Sequence, residues 1–230
     1  MTDPLEAVVW YVVFLLSTTF HEAAHAWAAK RGGDLTAYRG GQVSLDPRPH
    51  IRREPFGMVV LPVLSLVLSG FPFGFASTPY DPVWAERHPR RAAWMSLAGP
   101  AANLLLVIAA GLLVRLGIAA GGLATPESVR IAEIVAGAPG GWSTAAFVLS
   151  VFFSLNLILA TLNLIPLPPL DGSGALPLVL PGSLAERWRG FVRQPGLAWI
   201  GLVAVMMFFG EVFRPVFLLA MSVLHGASFG

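Results

Sequence analysis

Five apolar runs, at about 5–29, 56–76, 92–117, 144–164 and 197–224, organise this 230-residue chain. Each approaches or exceeds the ~20 residues that a helix needs to cross a bilayer. They predict an all-α polytopic membrane protein, a single membrane-embedded domain over 1–230 with about four to five transmembrane helices. The second run stands apart, because Pro62 interrupts it and "SGFPFGF" closes it. Basic loops add to the contrast. Lys and Arg crowd 30–55, 78–91 and 172–196, whereas Arg130 is the only basic residue in 118–143. Such loops stay cytoplasmic, and all three can do so only if 56–76 dips into the membrane and returns. A run of that length could also span, so both arrangements remain open at the level of sequence.

Between the runs, "GGQVSL" at 40–45 alternates like a short strand-like loop, and 121–141 is rich in glycine. The stretch "SLAERWRGFVR", 183–193, reads as a helix. Ser183 and Glu186 have capping-box spacing. Leu184, Trp188, Phe191 and Val192 share one face, with Arg187, Arg189 and Arg193 elsewhere. This pattern fits a helix lying in the membrane interface beside anionic lipid, and equally an ordinary connecting helix.

Composition narrows the class. Hydrophobic residues make up 55% and charged ones 12%, with a mean hydropathy of +0.69, where a soluble domain carries about 25% charge. The net charge is +2, and the basic residues sit in juxtamembrane loops, so no nucleic-acid partner is expected. The first run lacks a basic n-region and a small-residue cleavage site, so it is not read as a removable signal peptide. With no cysteine, disulfides are excluded and any metal must be held by nitrogen and oxygen.

Ionisable side chains are costly at membrane depth and are functional by default. The first run nevertheless ends in His21-Glu22-Ala23-Ala24-His25. On a helix these three positions fall at about 0°, 100° and 40°, one face. Two imidazoles one turn apart can grip one metal ion, and the carboxylate beside them can reach water activated by that ion. This is the H-E-x-x-H arrangement of zinc peptidases; buried histidines bonded to neighbouring helices are the plainer alternative. A third ligand must come from elsewhere. Arg31 occupies the position of a metzincin-type third histidine, and His50, His88 and His225 read as surface residues. Glu211 has Arg214 within one turn, which predicts an internal ion pair. Asp171 differs: it follows an apolar run directly, in "NLIPLPPLDG", where Pro166, Pro168 and Pro169 break the helix. Non-helical backbone at this depth survives where it lines a cavity or is buried in protein, a suitable place for a ligand carboxylate. A helix-end aspartate facing water is the alternative.

Together, the HExxH stretch and the pattern Asn163, Pro166, Leu170, Asp171, Gly172 resemble the site-2 protease family of intramembrane zinc metalloproteases. "AGPAAN", ending at Asn103, matches a further stretch common in that family. The resemblance covers residues 5 to about 173, the implied catalytic core, with an interfacial helix and a last membrane helix at 183–225. It implies one Zn²⁺ per chain held by His21, His25 and Asp171, with Glu22 as general base and acid. Asn163 would contact the substrate or its developing negative charge, and Asn103 would support helix packing. Transmembrane proteins in the bilayer are the implied substrates, cut in or near their helices during regulated intramembrane proteolysis. The protein would be a multi-pass cell-membrane protein whose active site lies nearer the cytoplasmic face. The first and fourth runs should point the same way for their ends to meet. The chain has room for neither the PDZ domain nor the regulatory domains of larger members. The stretches 163–172 and 39–46 are the expected partners for an unwound substrate. Two other readings are a catalytically silent relative that binds membrane clients and a metal or ion transporter.

Overall fold

Asp3 starts the first long helix: its side chain accepts from the Leu5 N–H, and Pro4 occupies a position where no N–H is needed. This helix, α1 (Pro4–Gly32), ends where Gly33 turns left-handed at φ 99°. Two short helices follow, α2 (Thr36–Arg39) and α3 (Pro47–Arg53). Residues 40–45 between them form turns and bends. The alternation there does not produce a strand; the Gly41 and Gln42 N–H groups instead donate back to the Tyr38 and Ala37 carbonyls at 3.0 Å and close turns. The computed structural model describes residues 3–226.

The second apolar run folds back on itself. A π-helical turn, Phe56–Val60, leads into α4 (Leu61–Ser69). At ~1.5 Å per residue the two together reach roughly 21 Å, short of a ~30 Å hydrocarbon core. The chain then turns at Gly70 (φ 74°) and doubles back in extended form. The Phe75 N–H donates to the Gly57 carbonyl at 3.1 Å, and the Phe73 N–H to Ser65 Oγ at 2.7 Å. Residues 56–76 therefore enter and return beside their own start.

Next come α5 (Pro82–Arg87), the long α6 (Pro89–Ala119), and a hairpin of β1 (Leu123–Ala124) and β2 (Ala136–Gly137), paired antiparallel. Then α7 (Ser143–Leu164), α8 (Asp171–Ala175), α9 (Gly182–Val192) and α10 (Leu197–His225) complete the chain. Four helices, α1, α6, α7 and α10, are long and apolar enough to cross a membrane.

Their register is fixed by a buried polar layer and two apolar clusters. Asn103 of α6 meets Ser17 of α1 and Asn156 of α7. Further along, His25 of α1 meets Met95, and Gly174 abuts Ser96. As α1 and α7 advance, α6 runs back, so α1 and α7 are parallel, as the convergence of their ends requires. On one side Trp10, Val13 and Phe14 pack on Val151 and Leu155. On the other, Val107, Ala110 and Val114 pack on Phe153 and on Phe213, Phe217 and Met221 of α10.

Two sequence readings of the C-terminal third need correction. Helix α9 begins at Gly182 after Pro181, and no side chain caps it, so Ser183 and Glu186 form no capping box. Proline at the preceding position starts the helix earlier and places Ser183 inside the first turn. Glu211 and Arg214, both exposed on α10, make no ion pair among the described residues. Helix α9 is held by Trp188, whose Nε1–H donates to Ser173 O at 2.8 Å, and by an exposed Arg193–Glu86 pair at 2.8 Å.

Candidate metal centre

The C-terminal part of α1 turns His21 and His25 towards α6 and Glu22 towards Thr78, and all three are buried. The proline-rich break after α7 delivers Asp171 as the first residue of α8. Asp171 Oδ2 lies 2.9 Å from His21 Nε2 and 3.2 Å from His25 Nε2, and the two Nε2 atoms are 3.0 Å apart. The four-residue spacing and the distant aspartate, 146 positions on from His25, therefore meet at one point.

The outer shell decides what that point can hold. His21 Nδ1 donates to Asn103 Oδ1 at 2.6 Å, and His25 Nδ1 donates to the Met95 carbonyl at 2.6 Å. With both Nδ1 atoms protonated, each Nε2 turns a lone pair inwards. Two imidazole lone pairs and a carboxylate oxygen facing one another repel unless a cation lies among them. Tetrahedral zinc with bonds of ~2.1 Å sets ligand atoms about 3.4 Å apart, a few tenths of an ångström wider than the spacing found. Gly99 of α6 completes the fit: a Cβ there would run into the Nε2 atoms of both rings. The donor set and the cradle suit Zn²⁺.

Glu22 stands outside the three-donor group. The Thr78 hydroxyl donates to it, 2.7 Å from Oε2 and 3.0 Å from its backbone carbonyl. The returning limb of the re-entrant segment thus holds the carboxylate. The same limb is tied to the end of α1 by Asp34, which accepts from Thr36 N, Thr36 Oγ1 and Asp81 N at 2.6–2.9 Å. Burial pushes the Asp34 carboxyl up, but these hydrogen bonds outweigh it and hold the group below its ordinary value.

A cavity of about 650 Å³ opens onto the centre. Glu22, Asn163, residues 168–171, residues 74–78 and Arg189 are among its walls. Asn163 reaches the cavity but not the group of His21, His25 and Asp171; its Nδ2 donates to Leu159 O in its own helix at 3.0 Å. Residues 39–46 line none of it, although the Gln42 Nε2–H donates to the Ser77 carbonyl of its wall at 3.4 Å. On the extended limb the N–H groups of Ala76 and Thr78 are unpaired among the described residues. His50, read from sequence as a surface residue, is 1% exposed, with Nε2 on Ser44 O at 3.0 Å. It takes no part in the centre.

Sequence reasoning missed Asn156, Thr78 and the Met95 carbonyl. Asn156 was the most visible of these, a lone amide within an apolar run; it accepts from Asn103 Nδ2 at 2.9 Å and donates to Ser17 Oγ at 2.9 Å. Asn103 is more than packing, since it orients the His21 ring. Replacing it with alanine is expected to weaken zinc binding about 10–100-fold while leaving helicity unchanged. Competition with a chromogenic chelator, beside a circular dichroism spectrum, checks this.

Fold and site together define a membrane-embedded metallopeptidase core: a helical bundle with two histidines and an aspartate gathered at one end of its spans and a glutamate beside them. Peptidase family M50 matches residues 9–207, and the chain belongs to that family. It is 33% identical over 186 residues to a Bacillus subtilis protein named "Putative zinc metalloprotease YwhC", covering 80% of this chain and 75% of that one. Proteins named "Putative zinc metalloprotease Rip2" are also similar. The Mycobacterium tuberculosis protein is 30% identical, covering 87% of this chain and 70% of its own. The Mycolicibacterium smegmatis protein is 32% identical, covering 71% and 54%. No solved structure matches the chain.

Proposed function

We propose that this chain is an intramembrane zinc metalloprotease that hydrolyses peptide bonds in or near the transmembrane helices of membrane-protein substrates. One observation carries the reading: His21, His25 and Asp171 converge beside Glu22 in a cavity at the end of apolar helices. His21, His25 and Asp171 would hold one Zn²⁺. When bound, zinc supplies a Lewis acid that polarises the scissile carbonyl and makes water acidic. Glu22 takes the proton that the attacking water loses as the new C–O bond forms. It hands that proton to the amine nitrogen as the C–N bond breaks. Asn163, on the cavity wall, is assigned to the substrate or to its developing negative charge.

A substrate helix has its backbone groups paired and must unwind before its carbonyl can be attacked. The freed groups then need partners. The limb at 74–78 offers extended backbone along the cavity, suited to strand addition, and the turn at 168–170 lines the cavity beside Asp171. The basic loops 78–91 and 172–196 both contribute to the cavity's rim, which favours the cytoplasmic face for the site.

The test is proteolysis in liposomes holding the purified protein and a panel of single-span helices. Cleavage should stop on treatment with a zinc chelator and return with about one equivalent of Zn²⁺. Helix binding with no cleavage under any metal condition would favour the catalytically silent relative instead.

A further inference from the structure

We propose that the outward stripe of α10 is the contact face of a homodimer within the membrane, with Glu211 of each copy paired to Arg214 of the other. The two residues lie midway along a 29-residue helix that is otherwise apolar through its centre. Both are exposed, and neither has an ion-pair partner among the described residues. Hydrocarbon offers charged groups nothing to bond to, so such residues normally face protein or a water-filled cavity. The inner face of α10 is already occupied by its packing on α6 and α7 through Phe213, Phe217 and Met221. Glu211 and Arg214 point away from that packing.

A second unmet group sits at the same level. Pro215 lies inside α10 and has no N–H, so the Glu211 carbonyl lacks the helical donor it would otherwise have. A guanidinium carries five donors and can serve a carboxylate and a neighbouring carbonyl together. Arg214 of another chain therefore matches both unmet acceptors of Glu211.

The stripe around these charges has the spacing of a helix–helix seam. Ile200, Ala204, Met207, Glu211, Arg214 and Leu218 alternate by four and three residues, the interval at which two helices interdigitate. Ile200 is 66% exposed and Met207 69%. Copies inserted in the same direction place their α10 helices parallel about a two-fold axis along the membrane normal. Glu211 and Arg214 are separated by about 4.5 Å along the axis, within side-chain reach, and the two-fold makes the pairing reciprocal. A substrate helix is the other conceivable occupant. Leu202 is where α10 meets the catalytic cavity, and Glu211 lies roughly 14 Å further along the helix. An apolar substrate has no reason to carry matching charges at that depth, whereas a second copy always does.

The absence of cysteine makes the test clean. Met207→Cys, one turn from Glu211 on the same stripe, gives the full chain a single thiol. Oxidation in native membranes should yield a disulfide-linked dimer. In that background Glu211→Arg and Arg214→Glu should each lower crosslinking at least tenfold, and the milder Glu211→Gln at least threefold. Co-expressing the Glu211→Arg and Arg214→Glu copies should restore crosslinking to within twofold of the parent. One copy then carries two positive groups and the other two negative ones, so pairing within a chain cannot explain the rescue. A parent that fails to crosslink, charge variants that crosslink like the parent, or a mixture no better than its components would each overturn the proposal. Because the readout is a crosslink, these results are independent of the protease assignment.

Discussion

Glu22→Gln is expected to keep its full complement of zinc and to lose cleavage by about 10³-fold or more. The amide matches the carboxylate in size, and its oxygen can still accept from the Thr78 hydroxyl, which lies 2.7 Å from Oε2. The three donors at the metal centre are untouched, so the ion stays. What disappears is the capacity to take a proton from water and return it to the leaving amine. Metal analysis of the purified variant, with single-turnover cleavage of a reconstituted helix, separates the two effects. Cleavage equal to the parent's would remove Glu22 from the chemistry.

Asp171→Ala is expected to cost the protein its zinc. Two neutral imidazoles one turn apart remain, but the only negative ligand is gone. The affinity should fall on the order of 10³-fold, beyond the 10–100-fold typical of outer-shell partners. Activity should follow the metal, returning only in part at high Zn²⁺. Zinc retained at one per chain after gel filtration would exclude Asp171 from the ligand set. Comparing this variant with Asn103→Ala ranks an atom 2.9 Å from His21 Nε2 against one that touches only the far nitrogen of the ring.

How much of this was legible in the sequence follows from the range of each signal. The spans could be read because hydropathy is a local sum, and the HExxH face because helical periodicity fixes it within five residues. Asp171 could be singled out because prolines beside it break a helix at membrane depth. Asn156 and Thr78 could not be assigned, since their partners lie 139 and 56 positions away and nothing nearby encodes the meeting. The errors share a cause. Residues 40–45 alternate like a strand but open by bonding back to α2 in turns, and Ser183 has capping spacing but Pro181 starts the helix first. Glu211 and Arg214 are close in sequence, yet their side chains do not pair. Local pattern states what a segment could do; the packing around it decides.

The parallel course of α1 and α7 has a consequence for the barrier the protein sits in. All three donors hang from the same end of the bundle, so ion, solvent and water-soluble product share one doorway. Beneath them the Ser17, Asn103 and Asn156 layer is sealed by its own hydrogen bonds. Below that come Trp10, Val13, Val151 and Leu155, with the half-buried Tyr11 packed against them. Water that reaches Glu22 therefore comes and goes at the end of the bundle where the donors hang, and this packed apolar layer stands between it and the far end.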